Sequence, residues 1–364
     1  MSSDHTVNDR AGPGSGPGGA PSAIALSPIL SARYRQRDLE RIRAVAPGAR
    51  IVTVSIEGLA DGPLDDVEVM LRGWLLPDAF DRLLAKAPRL AWVHSATSGV
   101  ERALTPAARQ RGVVVTNARG VFSRPIAEYV MMMILAVSRK LPELLELQRE
   151  RTWQPLEGAE LRDVTVGIVG LGSIGRAVAS LATGFGCRVV AVRRRTDGSV
   201  HTTPRVPAAV GLGDADARPF GELPLDRVGG PETLPELLAE SDFVVLAAPL
   251  TPETEEMIND ETLALFKPGA WLINVARGRL VDERALLRAL RDGPLGGAVL
   301  DTFHDEPLPP MSSFYDLPNV IVTPHTAWSS GRVLDRSVEL FCDNLTRFAA
   351  GEPLVNVVDP SAGY

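Results

Sequence analysis

Hydrophobic and polar positions along this chain fall into two alternating series. In the first, Ile24–Leu26, Ile51–Val54, Val67–Arg72, Leu90–Val93 and Gly112–Thr116 are short apolar, β-branched runs that predict strands. Arg35–Ala46 and Ala79–Ala85 carry apolar residues at helical spacing between them. Ile126–Arg139 predicts a long apolar helix, with Pro125 at its first position. The second series places strands at Val164–Val169, Arg188–Val192, Phe243–Ala247, Trp271–Asn274, Gly297–Leu300 and Val320–Thr323. Helices are expected at Gly175–Phe185, Leu234–Ala239, Asp260–Phe266 and Glu283–Asp292, and a last one at Leu334–Ala350. Strands alternating with helices predict an α/β chain built on parallel sheets. The second series is complete in itself, so it reads as a domain (125–329) inserted into another (23–124 with 330–364).

Within the second series the apolar run Val164–Val169 leads directly into Gly170-Leu171-Gly172-Ser173-Ile174-Gly175, and small residues at helical spacing follow. Strand, glycine turn and helix in that order form a dinucleotide-binding fingerprint. Gly170 permits the tight turn, Gly172 lets backbone approach a pyrophosphate, and Gly175 lets helix and strand pack closely. The helix N-terminus then offers unpaired N–H groups to the phosphates.

Composition narrows the function classes. The chain has 364 residues, 45% hydrophobic and 23% charged, ordinary for a globular protein with room for two domains. A net charge of −7 argues against a nucleic-acid surface. The longest apolar runs, such as Tyr129–Val137, are too short to span a bilayer. Two cysteines, Cys187 and Cys342, supply neither a disulfide framework nor a zinc spacing, so a reducing, cytoplasmic setting without a structural metal is expected. Residues 1–22 are rich in Gly, Pro and Ser, lack the order of a secretory signal, and read as a disordered tail.

Three short motifs follow strands of the second series, where open α/β sheets bind their ligands. They are Asn274-Val275-Ala276-Arg277-Gly278, the run Asp301–Pro307, and Pro324-His325-Thr326-Ala327-Trp328. One cation, one carboxylate and one imidazole suit hydride transfer to a 2-oxo acid. Arg277 offers paired N–H donors to a carbonyl and carboxylate. His325 supplies a proton, and a carboxylate of the Asp301–Pro307 run beside it orients and charges the imidazole. Read singly, each has a plainer use: a surface charge, a loop acid, a satisfied loop histidine. His94 and His304 read as structural, and Met131–Met133 as packing.

With Pro249-Leu250-Thr251-Pro252-Glu253-Thr254, these motifs make the chain beyond the tail resemble the D-isomer-specific 2-hydroxyacid dehydrogenases. The resemblance implies two Rossmann-like domains, a flavodoxin-like substrate domain interrupted by a doubly wound dinucleotide domain, with the active site in a cleft between them. It implies that Arg277, Glu306 and His325 are catalytic and that Asp301 meets the nicotinamide amide. Ala248, Pro249, Val275, Ala276 and His325 would touch the cofactor, and Ser98 and Gly99 would cradle the substrate carboxylate. It further implies a homodimer, to which the apolar helix over Ile126–Val137 would contribute, and a small 2-oxo or 2-hydroxy acid as partner, reduced to the D-alcohol.

Three departures refine this expectation. An NAD-preferring site places an acid about 20 residues beyond the fingerprint, but here the strand ends in Arg193-Arg194-Arg195. Guanidiniums grip a 2′-phosphate, so NADP(H) is expected over NAD(H), with NAD(H) still possible. The long Gly/Pro-rich stretch Thr196–Gly230 either folds over the adenine end or is an inert insertion. Trp328, three residues after His325, matches a His-x-x-Trp order found in the C-terminal binding proteins, where the indole lines the substrate pocket. Trp328 and Trp74 would together favour an apolar or aromatic substrate tail; packing against the domain interface is the other use open to Trp328. Two further functions stay open: a nucleotide-sensing scaffold or corepressor, and oxidation of an unusual small acid such as a phosphonate.

Overall fold

The computed structural model describes residues 18–29, 34–100, 102–194, 223 and 225–360. Contacts divide them into two units, one running to Val121 and resuming at Gly331, the other spanning Phe122–Ser330. Gly19 donates its N–H to Ala349 O (2.7 Å) and Ser22 to Glu68 Oε2 (3.1 Å). The end of the stretch expected as a tail is therefore anchored; residues 1–17 lie outside the described residues.

The first unit comprises β1 (Ala23–Leu26), α1 (Gln36–Val45), β2 (Arg50–Thr53), β3 (Val67–Arg72), α2 (Ala79–Lys86), β4 (Trp92–Ser95), α3 (Pro106–Gln110) and β5 (Val114–Asn117). Its sheet has the order β2-β1-β3-β4-β5, parallel throughout, which is the flavodoxin-like order. The period of two sorts side chains between its faces. Ile24, Leu26, Val69 and Leu71 pack with α1 on one face, and Ala23, Ala25, Val52 and Met70 with α2 and α3 on the other. The last helix of the chain, Val333–Ala350, belongs to this unit and closes the first face: Trp92 stacks on its Phe341 and Phe348 at 5.4 and 5.5 Å. Beneath them His94 is fully buried, its Nδ1 2.8 Å from Thr116 Oγ1, and burial pushes the imidazole down to about 3. It is a neutral core residue.

The second unit begins with α4 (Ser123–Ser138) and α5 (Leu141–Arg149), then continues β6 (Thr165–Val169), α6 (Ser173–Gly184), β7 (Arg188–Val192), β8 (Arg227–Gly229), α7 (Leu234–Glu240), β9 (Phe243–Leu246), α8 (Asp260–Leu263), β10 (Trp271–Asn274), α9 (Glu283–Asp292), β11 (Gly297–Leu300) and β12 (Val320–Val322). The C-terminal helix of the first unit is thus α10. The sheet order is β12-β11-β10-β9-β6-β7-β8, again all parallel. Winding reverses between β6 and β9, and that reversal opens the crevice where such sheets take ligands. β6, β9 and β11 are buried along their whole length, as strands covered on both faces must be.

Some local expectations shift. α4 starts at Ser123, so Pro125 is its third residue; its missing N–H is still one of the unpaired ones of a first turn. β4 lies two residues later than expected, and α8 is one turn long. The end of the Thr196–Gly230 stretch forms β8, paired with β7; residues 195–222 and 224 of that region lie outside the described residues.

Candidate active site

The glycine turn is built at the reversal point. Gly170 sits at φ +100, a conformation that favours glycine, and a Cβ there would lie 2.6 Å from Ala248 N, at the end of β9. A Cβ on Gly175 would lie 2.1 Å from Gly170 O, so only glycine lets α6 start this close to β6. Gly172 differs: its backbone is ordinary and a Cβ would meet nothing within 4 Å. The space it leaves lies in front of α6, whose Ser173, Ile174 and Gly175 N–H groups find no acceptor among the described residues. Unpaired donors on the positive end of a twelve-residue helix fit a pyrophosphate. Leu171 lies in the same turn.

The other candidates lie at the carboxyl ends of neighbouring strands. Arg193 and Arg194 follow β7, with Arg193 N donating to Gly229 O at 3.0 Å. Exposed Glu253, in the loop after β9, is held below the usual carboxylate range first by the Thr251 hydroxyl, then by its own N–H, with the Arg194 charge adding to them. Arg195 lies outside the described residues. Ala248 and Pro249 follow β9; Val275, Ala276 and Arg277 follow β10. The Asn274 side chain clamps that last loop, accepting from Ala276 N (3.1 Å) and donating to Arg277 O (2.9 Å). Arg277 Nη1 donates to Ala276 O at 2.8 Å.

Glu306 and His325 meet directly. His325 Nδ1 is 2.8 Å from Glu306 Oε2, and Glu306 Oε1 accepts from Phe303 N at 3.1 Å. Partial burial pushes Glu306 up. The hydrogen bonds from His325 and Phe303 and the charges of His325 and Arg277 outweigh it, and the carboxyl is held below its ordinary range. With Nδ1 committed, Nε2 is the imidazole atom left to meet a reactant. His325 itself stands at φ 49, left-handed for a residue that is not glycine.

Asp301, 1% exposed, holds the loop that carries His325. Its Oδ1 accepts from Thr323 Oγ1 (2.6 Å) and Thr326 N (2.8 Å), and its Oδ2 from Ala327 N (3.0 Å). A carboxylate oxygen has two lone-pair sites, so Oδ2 retains one for an amide donor. Trp328 packs edge-on against Phe122, centroids 6.5 Å apart at 82°. His304 is structural: its Nε2 donates to Val281 O at 2.8 Å. In the first unit, Ser98 and Gly99 lie in the loop after β4, and their N–H groups find no acceptor among the described residues. Trp74, in the loop after β3, is 53% exposed; two residues on, exposed Leu76 donates its N–H to the carbonyl of exposed Ile56 at 2.8 Å. Asn274, Thr323 and Tyr129, which reaches Thr323, had no sequence assignment. Asn274 and Thr323 border the motifs, whereas nothing in the chain's order links Tyr129 to them. Among the described residues no three His, Cys, Asp or Glu side chains group as metal ligands.

Residues 131–214 and 223–327 match the model of the D-isomer specific 2-hydroxyacid dehydrogenase NAD-binding domain. The chain belongs to that family. It is an NAD(P)-dependent oxidoreductase, and its two parallel sheets are those of the family's fold. A glyoxylate reductase of Thermococcus gammatolerans is 36% identical over 298 residues, 79% of this chain and 81% of the relative. One from Korarchaeum cryptofilum is 34% identical over 295 residues, 78% and 81% respectively. A family member from Xanthobacter autotrophicus, solved with NADPH and MES, aligns at TM-score 0.77 and 31% identity over 95% of this chain and all of that one. An NADPH-dependent glyoxylate/hydroxypyruvate reductase of Sinorhizobium meliloti, solved with NADP and sulfate, aligns at 0.74 and 28% over 95% and 100%.

Because a Gly172 side chain has room in the fold itself, Gly172→Ala separates binding from folding. It is expected to keep the urea midpoint of the parent while weakening NADPH binding, followed by nucleotide fluorescence, by about tenfold or more. An unchanged affinity would remove the pyrophosphate from this turn.

Proposed function

We propose that the protein reduces a 2-oxo acid to the D-2-hydroxy acid with NADP(H), reversibly. One observation carries this reading: the order of chemistry along a single sheet edge. Imidazole, carboxylate and guanidinium stand at β12, β11 and β10, the glycine turn at β6, and the arginine pair at β7. That order matches a dinucleotide laid with its nicotinamide by the catalytic groups and its adenosine ribose by Arg193 and Arg194. When bound, a reduced nicotinamide supplies the hydride for the 2-oxo carbon. Arg277 clamps the substrate's carbonyl and carboxylate, and His325 Nε2 delivers the proton to the nascent alkoxide. Glu306 stabilises the imidazolium before transfer and keeps the ring aimed. The exposure of Trp74 supports a substrate with an apolar tail.

A homodimer fits the surface. α4 is mostly buried and leaves Met132 exposed. α5 buries no residue, and its Leu141, Leu144 and Leu145 face water, as does the fully exposed Trp153. An apolar helix face of this kind needs a cover, and we assign it to a second copy. Two unpaired cysteines suit a cytoplasmic setting. No helix among the described residues is long and apolar enough to cross a membrane.

The direct test compares NADPH with NADH oxidation across glyoxylate, hydroxypyruvate, pyruvate and phenylpyruvate. Turnover is expected to favour NADPH, to fall by about 10³-fold or more in Arg277→Ala and His325→Ala, and to move toward NADH in Arg193→Asp. Tight NADPH binding without turnover of any acid would favour a scaffold. In Glu306→Gln the imidazole loses its carboxylate partner, so kcat/KM for reduction is expected to fall about tenfold or more with NADPH affinity kept. Since the native Glu306 carboxyl titrates below its ordinary range, its support for the pair persists above that range and is lost only as pH falls through the lowered value. An unchanged kcat/KM would mean that the pair does not carry the proton. Sedimentation should show a dimer that Leu144→Glu/Leu145→Glu converts to monomer; a monomeric parent would refute the assignment of α5.

A further inference from the structure

We propose that Tyr129 is a positioning residue for the acid–base pair, its hydroxyl fixing, through Thr323 and Asp301, the strap of backbone that presents His325. The proposal rests on the reading of His325 as proton donor.

The hydrogen-bond directions follow from donor counting. A carboxylate only accepts, so Thr323 Oγ1 must donate its single hydrogen to Asp301 Oδ1 across 2.6 Å. That hydroxyl then has only lone pairs for Tyr129 Oη, 2.6 Å away, so Tyr129 donates. Burial pushes the phenol up to about 12, against the Thr323 hydrogen bond and with the Asp301 charge, so it keeps the proton it donates. Asp301 passes the constraint on, taking the Thr326 and Ala327 N–H groups at 2.8 and 3.0 Å. The strap 323–327 is thus tied to one buried carboxylate on both sides of His325, while His325 N reaches back to Thr323 O at 3.0 Å.

This bracing has a specific object. His325 occupies the left-handed region, which a residue with a Cβ leaves unless its neighbours hold it there. Relaxing the strap would rotate the imidazole away from Glu306 and from the reactant, and a displacement near 1 Å is costly in a proton transfer. Tyr129 stands on α4, 194 residues before Thr323, so the strap is braced by an element outside the sheet edge that carries the chemistry. Its hydroxyl meets neither Glu306 nor His325 and therefore acts through others.

Tyr129→Phe removes the hydroxyl and keeps the ring; Thr323→Val removes the next link, and Thr323→Ser restores it. With NADPH and the best 2-oxo acid of the panel above, Tyr129→Phe and Thr323→Val are each expected to lower kcat about fivefold or more, with NADPH affinity held within about twofold. The double variant should lose no more than the worse single one, and Thr323→Ser should recover most of the rate. Wild-type kcat in Tyr129→Phe would overturn the proposal. So would equal losses in kcat and NADPH affinity, or single effects that multiply in the double variant. If Tyr129→Phe does not fold, the contrast between Thr323→Val and Thr323→Ser decides alone. His325→Ala separates the two levels: turnover that survives in it removes the proton-donor reading and this proposal together. An inactive His325→Ala beside a fully active Tyr129→Phe removes only the role of Tyr129.

Discussion

A single buried carboxylate governs the strap that carries His325 in the second unit. Asp301 has almost no contact with solvent, so its desolvation must be compensated by hydrogen bonds inside the chain. Three of them come from the segment 323–327, and the geometry they impose leaves His325 in a backbone conformation it would not choose alone. The imidazole's 2.8 Å approach to Glu306 follows from that placement. Remove the Asp301 carboxylate and the strap keeps its sequence but loses its reason to curve.

That arrangement is possible because every strand of the sheet runs the same way. Parallel pairing puts all carboxyl ends on one edge, and the loops after β6, β7, β9, β10, β11 and β12 therefore share it. Residues 170 to 328 of the chain, separated by whole βα units, become neighbours in strand order. The sheet also divides labour along its edge. Glycines stand where the winding reverses and backbone must come close. Charged side chains stand on loops clamped by their own neighbours, as Asn274 clamps the Arg277 loop.

What the sequence made legible follows the same physics. The fingerprint was readable because its function lies in contiguous backbone: strand, turn and helix start are consecutive residues, and each glycine has a local reason. Arg277, Glu306 and His325 were readable as motifs after strands, although only the fold shows Glu306 held from two sides. Tyr129 was unreadable, since a hydroxyl on an apolar helix looks like packing and its partner lies far along the chain. α5 had no counterpart in the sequence reading, although Ile126–Arg139 ends within one residue of α4 and Pro142 stands in the first turn of α5; the break between them is a left-handed Lys140. Most of α4 is buried, and the exposed leucines that follow it belong to α5.

The two carboxylates of the site illustrate why residue type alone could not assign roles. Asp301 and Glu306 lie five positions apart after the same strand, and both are acids beside the His325 strap. Burial makes Asp301 an acceptor for backbone N–H groups, spending its charge on geometry. Glu306 is exposed and gives one oxygen to its own loop and the other to the imidazole, which is the partner the proposed reaction assigns it. A carboxylate that served both purposes would couple the strap's position to every proton transfer. In the proposed reaction the two tasks fall on separate acids, and the backbone that carries the imidazole stays anchored to a carboxylate other than the ring's own partner.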